Sequence, residues 1–129
     1  MRILAIDPGT SKCGIAVADQ HGTILRGVVG VDAIGEFARG LMARYGPEVI
    51  VIGNRTGARE IAQLVGNGLP IEFVDEHRSS EEARRRYWRY NKPTGWRRLL
   101  PTSLQVPPEP YDDIVAEILA ERFFLHCKF

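Results

Sequence analysis

Along the chain the spacing of hydrophobic positions changes repeatedly, and each change marks a new element. Arg2–Ile6 is a short apolar run that stops at Asp7-Pro8-Gly9-Thr10, and Gly14–Ala18 is a second that stops at Asp19-Gln20-His21-Gly22. A third runs from Thr23 to Val29. Short apolar runs joined by Asp, Gly and Pro turns predict three strands in an antiparallel meander. The period then becomes helical: Ile34, Phe37, Ala38, Leu41 and Tyr45 follow Asp32, which is placed to cap a helix that Gly46-Pro47 ends. Glu48–Gly53 (EVIVIG) is apolar and β-branched, the pattern of a strand covered on both faces. Ala58–Val65 predicts a short helix and Ile71–Val74 another strand, while Ser79 with Glu82 forms a capping box for a third helix. From Asn91 to Pro110 Pro, Gly and Thr replace periodic apolar positions, and a connection that long is usually functional or mobile. Ile114, Val115, Ile118 and Leu119 give a last helix, about Tyr111 to Leu125, a core stripe.

The order β-β-β-α-β-α-β-α-α predicts an α/β fold. A three-strand antiparallel meander and two parallel strands make one five-stranded mixed sheet, with helices on both faces. A chain of 129 residues, 44% hydrophobic, fits a single packed domain over 1–129. Lys plus Arg (17) nearly balances Asp plus Glu (16), so net charge indicates no anionic partner. The distribution does: Arg84 to Arg98 holds seven basic residues and no acidic one. Cys13 and Cys127 lie at opposite ends with no metal-ligand spacing, which suits two reduced thiols. An acid at the seventh residue rules out a secretory apolar segment there, and no run is long enough to span a bilayer. The expectation is a cytoplasmic protein with no membrane partner.

Three acidic positions fall at element ends that this fold would gather. Asp7 closes the first strand, Asp75-Glu76 follows the last, and Asp112-Asp113 opens the final helix. Sites in open α/β sheets collect at the carboxyl ends of strands. From Asp112, steps of three, four and seven reach Val115, Ala116 and Leu119, the core face; from Asp113 they reach Ala116, Glu117 and Ala120, a more solvated face. Asp112 is therefore the better ligand, with Asp113 at the rim. Oxygen-only ligands suit Mg²⁺ or Mn²⁺. Two such ions can activate a water and stabilise the leaving oxygen of a phosphodiester. In that arrangement Asp7 bridges the ions while Glu76 and Asp112 hold one each. Each acid also has an ordinary reading: Asp7 as a turn residue, Asp112 as a helix cap, Glu76 as a surface side chain.

Arg84, Arg85, Arg86, Trp88, Arg89 and Lys92, with Trp96, Arg97 and Arg98 beyond, interleave cations with rings. Cations can hold phosphates while aromatics stack on unpaired bases, so this block is the candidate nucleic-acid interface. Tyr87 is better read as core. His77 and His21 are possible acid–base groups, and His126 is read as structural.

At these residues the sequence resembles the YqgF family, relatives of RuvC described as pre-16S rRNA nucleases or Holliday junction resolvases, of the RNase H-like superfamily. Asp7-Pro8-Gly9-Thr10-Ser11-Lys12-Cys13-Gly14-Ile15-Ala16-Val17 is similar to the family's opening motif. Val74-Asp75-Glu76-His77-Arg78-Ser79-Ser80-Glu81-Glu82-Ala83 is similar to its Asp-Glu-Arg motif, and Asp112-Asp113-Ile114-Val115-Ala116-Glu117-Ile118-Leu119 to that of its last helix. The resemblance implies an RNase H-like fold with the first strand central. It also implies catalytic acids at Asp7, Glu76 and Asp112, and structured RNA or branched DNA as partner; Lys12 and Arg78 join the candidate nucleic-acid contacts. Symmetric cleavage of a junction would further require a homodimer. His77 stands where the family has Arg, and Asn54 stands near the strand end where RuvC-type resolvases place a carboxylate. Two other readings compete: a catalytically silent nucleic-acid-binding module, and an actin-like ATPase phosphate loop at Asp7-Pro8-Gly9-Thr10. The second needs two lobes, and this chain has room for one.

Overall fold

In a computed structural model, which describes residues 1–66, 68–92, 99, 101, 107 and 110–126, the predicted strands form one sheet. They are β1 (Ile3–Asp7), β2 (Lys12–Asp19), β3 (Gly22–Gly30), β4 (Val49–Gly53) and β5 (Ile71–Val74), in the order β3-β2-β1-β4-β5. The meander pairs antiparallel, β4 and β5 run parallel, and β1 is central as expected. Asp19 makes the β2–β3 hairpin tight, its Oδ1 accepting from the backbone of His21 at 2.8 Å and Gly22 at 3.2 Å.

Strand alternation sorts the central residues between two cores. Leu4, Ile6, Ile15, Val17, Ile50 and Ile52 face one way and bury α1 (Ile34–Tyr45) and α2 (Ala58–Val65) through Ile34, Ala38, Leu41, Ile61 and Val65. On the other face Ile3, Ala5, Ala16, Ala18 and Val51 receive α4 (Asp112–His126) through Ala116, Leu119 and Ala120. The outer side of α4 carries Ile114, Val115 and Ile118, and these pack on Ala83, Tyr87 and Trp88 of α3 (Ser79–Tyr90). Covered by the sheet on one side and α3 on the other, α4 buries residues on two sides over Ile114–Ala120, so the predicted single stripe is in fact two.

Two caps differ from expectation. Asp32 lies within a 3₁₀ turn (Val31–Ala33), and Ala33 occupies the N-cap of α1 with no side-chain hydrogen bond. Ser79 is the first residue of α3 rather than its cap; Arg78 takes that place in a left-handed conformation, φ 58°. The turn from Glu76 into α3 closes through the backbone, Ser79 N donating to Glu76 O at 2.9 Å. At the other end of α1 the left-handed Gly46 (φ 60°) terminates the helix as predicted. Among the described residues, no helix is long and apolar enough to cross a membrane.

Candidate active site

The carboxyl edge of the sheet is built around a row of three residues, Gly14, Asp7 and Gly53. Gly14 is the register partner of Asp7 on β2, and Gly53 on β4 follows the Ile6–Ile52 pair by one step. All three share the face that receives α4, by alternation from Ala16, Ala5 and Val51. The two glycines leave room for what approaches Asp7 from either side. A Cβ on Gly14 would overlap the backbone carbonyl of Asp112, so α4 starts directly on Gly14. A Cβ on Gly53 would overlap the carboxyl group of Glu76, which crosses β4 to reach Asp7.

Glu76 is further positioned from behind. Arg122 of α4 donates to the carbonyl of Asp75 at 2.9 Å and to that of His77 at 2.8 Å, clamping the chain on both sides of Glu76. Asp75 itself turns back to accept from His77 N at 3.1 Å. His77 is directed into a cavity of about 800 Å³ shared with Phe73, Arg122 and His126, not toward the acids, and His21 lies in the β2–β3 turn. Neither histidine reaches Asp7.

Asp7 is 2% exposed and Glu76 8%. As carboxylates, Asp7 Oδ1 and both Glu76 oxygens have no aligned hydrogen-bond donor. A buried, unsatisfied carboxylate is expensive, and at Asp7 this cost favours the protonated form. Burial, then a hydrogen bond to Glu76 and its negative charge, push Asp7 from 3.8 up to about 8, against the opposing charge of Arg55. Arg55, which sequence reasoning passed over, comes from the β4–α2 loop to form ion pairs with both acids, Nε to Glu76 Oε2 at 2.5 Å and Nη1 to Asp7 Oδ1 at 3.7 Å. Nothing in its local sequence marks it; the contact arises only when the sheet brings two loops together.

Asp112 stands beside this pair and adds to the charge felt by Asp7, with Lys12 Nζ 3.9 Å from its Oδ2. Among the described residues, no three His, Cys, Asp or Glu side chains are gathered closely enough to hold one ion together, so Asp7 and Glu76 form the core of the site. Their oxygens, which receive no aligned hydrogen bond, fit a hard divalent cation. Asp113 is turned elsewhere. Its face proves no more solvated than that of Asp112, because Ala116 and Ala120 are buried and its carboxylate pairs with Arg26 Nε at 3.5 Å.

The basic block divides in two. Arg84, Arg85, Arg89 and Lys92 are exposed, as is Arg78. Arg86 is not available: it is drawn inward by Glu82 at 3.6 Å, Glu117 at 3.4 Å and the close carboxylate of Glu121. Trp88 is 8% exposed and packs edge-on against Tyr87 with centroids 5.1 Å apart, so it serves the core rather than base stacking. Trp96, Arg97 and Arg98 lie outside the described residues.

Gly53→Ala should push Glu76 out of the pair, and Asp7, relieved of an acidic neighbour, should then titrate at least one pH unit lower. A carboxyl-carbon NMR titration reads this directly. An unchanged Asp7 midpoint would mean that Gly53 does not set the pair.

A scan against protein-family models finds no match to the chain, and neither does a search of curated proteins. Solved structures do match. RuvC of Thermus thermophilus in complex with a Holliday junction substrate superposes with TM-score 0.57 at 16% identity, covering 93% of this chain and 90% of that one. A second structure of Thermus thermophilus RuvC gives TM-score 0.55 at 13% identity, over 96% and 95%. Identities this low establish architecture and no more: the chain has the RNase H-like fold, shared with RuvC over nearly its whole length.

Proposed function

We propose that the chain is a divalent-metal-dependent endonuclease hydrolysing phosphodiester bonds in structured nucleic acid. The observation that carries this reading is the Asp7–Glu76 pair, two buried carboxyl groups whose oxygens receive no aligned hydrogen bond, at the carboxyl edge of the sheet. Asp7 and Glu76 would hold Mg²⁺ or Mn²⁺, with Asp112 approaching from α4; a bound ion supplies Lewis-acid stabilisation of charge developing on the phosphodiester. The chain's own residues do the rest. The glycines keep the acids in register, Arg122 fixes the Glu76 turn, and Lys12 stands exposed beside Asp112 where a phosphate would lie. Arg84, Arg85 and Arg89 would grip the backbone farther out. Branched DNA is one candidate substrate, because a RuvC of like fold was solved on a Holliday junction, and a precursor end of 16S rRNA is the other, from the resemblance to the YqgF family.

A second reading, a catalytically silent binding module, is favoured by Arg55, a cation already lying against both acids. The two are separated by incubating the protein with a four-way DNA junction and a ribosomal-RNA precursor end, in Mn²⁺ or in EDTA. Cleavage in Mn²⁺ alone supports the nuclease; binding without cleavage in either supports the module. In both cases, replacing Arg84, Arg85 and Arg89 by Gln should weaken nucleic-acid binding at least tenfold at low salt. Each cation that meets a phosphate contributes about 0.9 to the slope of log affinity on log salt for duplex DNA, so the slope should flatten by up to about 3. An unchanged slope would place the interface elsewhere.

A further inference from the structure

Arg55 is the cation that, among the described residues, touches both acids, and its contacts are those of a temporary partner. It supplies charge without hydrogen-bond geometry, since neither Asp7 Oδ1 nor the Glu76 oxygens gain an aligned donor from it. Its side chain is 39% exposed although the acids it meets are buried. Its remaining tie is a 3.3 Å hydrogen bond from Nη2 to Ser80 Oγ. It also lines a cavity of about 520 Å³ with Asn54, Thr56, Arg59 and Phe73, which gives the guanidinium another place to lie.

We propose that Arg55 is a resident counter-cation that a divalent ion must displace from Asp7 and Glu76, so that loading the site and releasing the guanidinium are one exchange. The inference rests on reading the pair as metal ligands. The physical reason is competition for the same oxygens. A guanidinium and a divalent ion within a few ångströms of each other repel strongly in a partly buried site. The divalent ion carries twice the charge and accepts the oxygens without demanding donor angles, so it wins when present. Until then Arg55 offsets the repulsion between the two carboxyl groups. Once displaced, it would join Arg59 of α2 along that cavity, where both cations could meet an incoming phosphate.

The test is Mn²⁺ titration by calorimetry of the whole chain as wild type, Arg55→Gln and Arg55→Lys, with each fold checked by circular dichroism. Arg55→Gln should bind Mn²⁺ at least tenfold tighter than wild type, while Arg55→Lys, which keeps the charge, should stay near the wild-type value. Equal affinity in Arg55→Gln and wild type would overturn the exchange while leaving the metal site standing. Mn²⁺ binding to neither would overturn both. Tighter binding without any cleavage would keep the exchange and remove the nuclease. Should Arg55→Gln not fold, the wild-type Arg55 Nε–H resonance decides: it should move toward that of a solvated arginine on adding Mg²⁺, and an unmoved signal refutes displacement.

Discussion

Asp7→Asn should melt at a higher temperature than the wild type in EDTA at pH 8, and should lose metal-dependent cleavage by more than a hundredfold. The two effects have one origin. Asp7 titrates at about 8 when folded, against 3.8 for the same carboxyl in an unfolded chain. A raised folded value means that the folded state binds the proton more tightly, so stability is highest below about pH 4, falls as pH rises toward 8, and is flat above. Asparagine removes that dependence. Its gain should therefore be largest near pH 8 and shrink steadily toward pH 4. Each pH unit between the folded and unfolded midpoints is worth about 1.36 kcal/mol, and after local relaxation the gain should reach on the order of 2 kcal/mol. For a chain of this size that is a rise in Tm of roughly 5–10 °C. Mn²⁺ should raise the wild-type Tm by linkage and leave the variant's unmoved. If Asp7→Asn melts at or below the wild type at pH 8, the acid pair is not under the strain described.

Gly14→Ala should destabilise the protein by about 3 kcal/mol, roughly 10 °C in Tm. The added methyl meets the main-chain carbonyl and carbon of Asp112, atoms that cannot swing aside as a side-chain tip would. Either α4 lifts off the sheet, opening the contacts of Ala116 and Leu119, or β2 bends away from β1. Gly27→Ala is the control. Its Cβ would meet only Ile15 Cδ1 at 3.9 Å, so it should be neutral or slightly stabilising through the unfolded chain. Comparable losses from both would show that glycine flexibility, not the close approach of α4, is what matters at Gly14.

Periodicity carried most of the architecture. Ala58–Val65 and Ile71–Val74 were bounded as the structure has them, because short elements ended by Gly and Pro leave little freedom in where they stop. What local patterns could not supply was the consequence of packing. Ser79 and Glu82 have the spacing of a capping box, but the turn from Glu76 puts Ser79 already inside the helix. Trp88 and Arg86 sit in a basic run and read as surface, yet α4 covers the ring and offers Glu117 and Glu121 to the guanidinium. Asp7 and Glu76 were legible because they stand at or just beyond strand ends, within motifs that resemble a known family's. The roles of Gly14, Gly53, Arg55 and Arg122 were not, since each acts on a residue far away in sequence.

The stacking of α3 on α4 has a mechanical meaning. The main packing partner of α3 is α4, reinforced where Glu117 gathers Arg86 of α3, Arg26 of β3 and the Tyr90 hydroxyl within 3.4 Å. Force applied to the exposed arginines of α3 therefore reaches the sheet through α4 as well as through the short turn from β5. Helix α4 begins at Asp112 and carries Arg122, which grips the Glu76 turn, near its far end. A displacement of the outer helix would therefore bear on Asp112 through α4, and on Glu76 through both Arg122 and the short turn that joins Glu76 to α3, whereas Asp7 is held in the central strand.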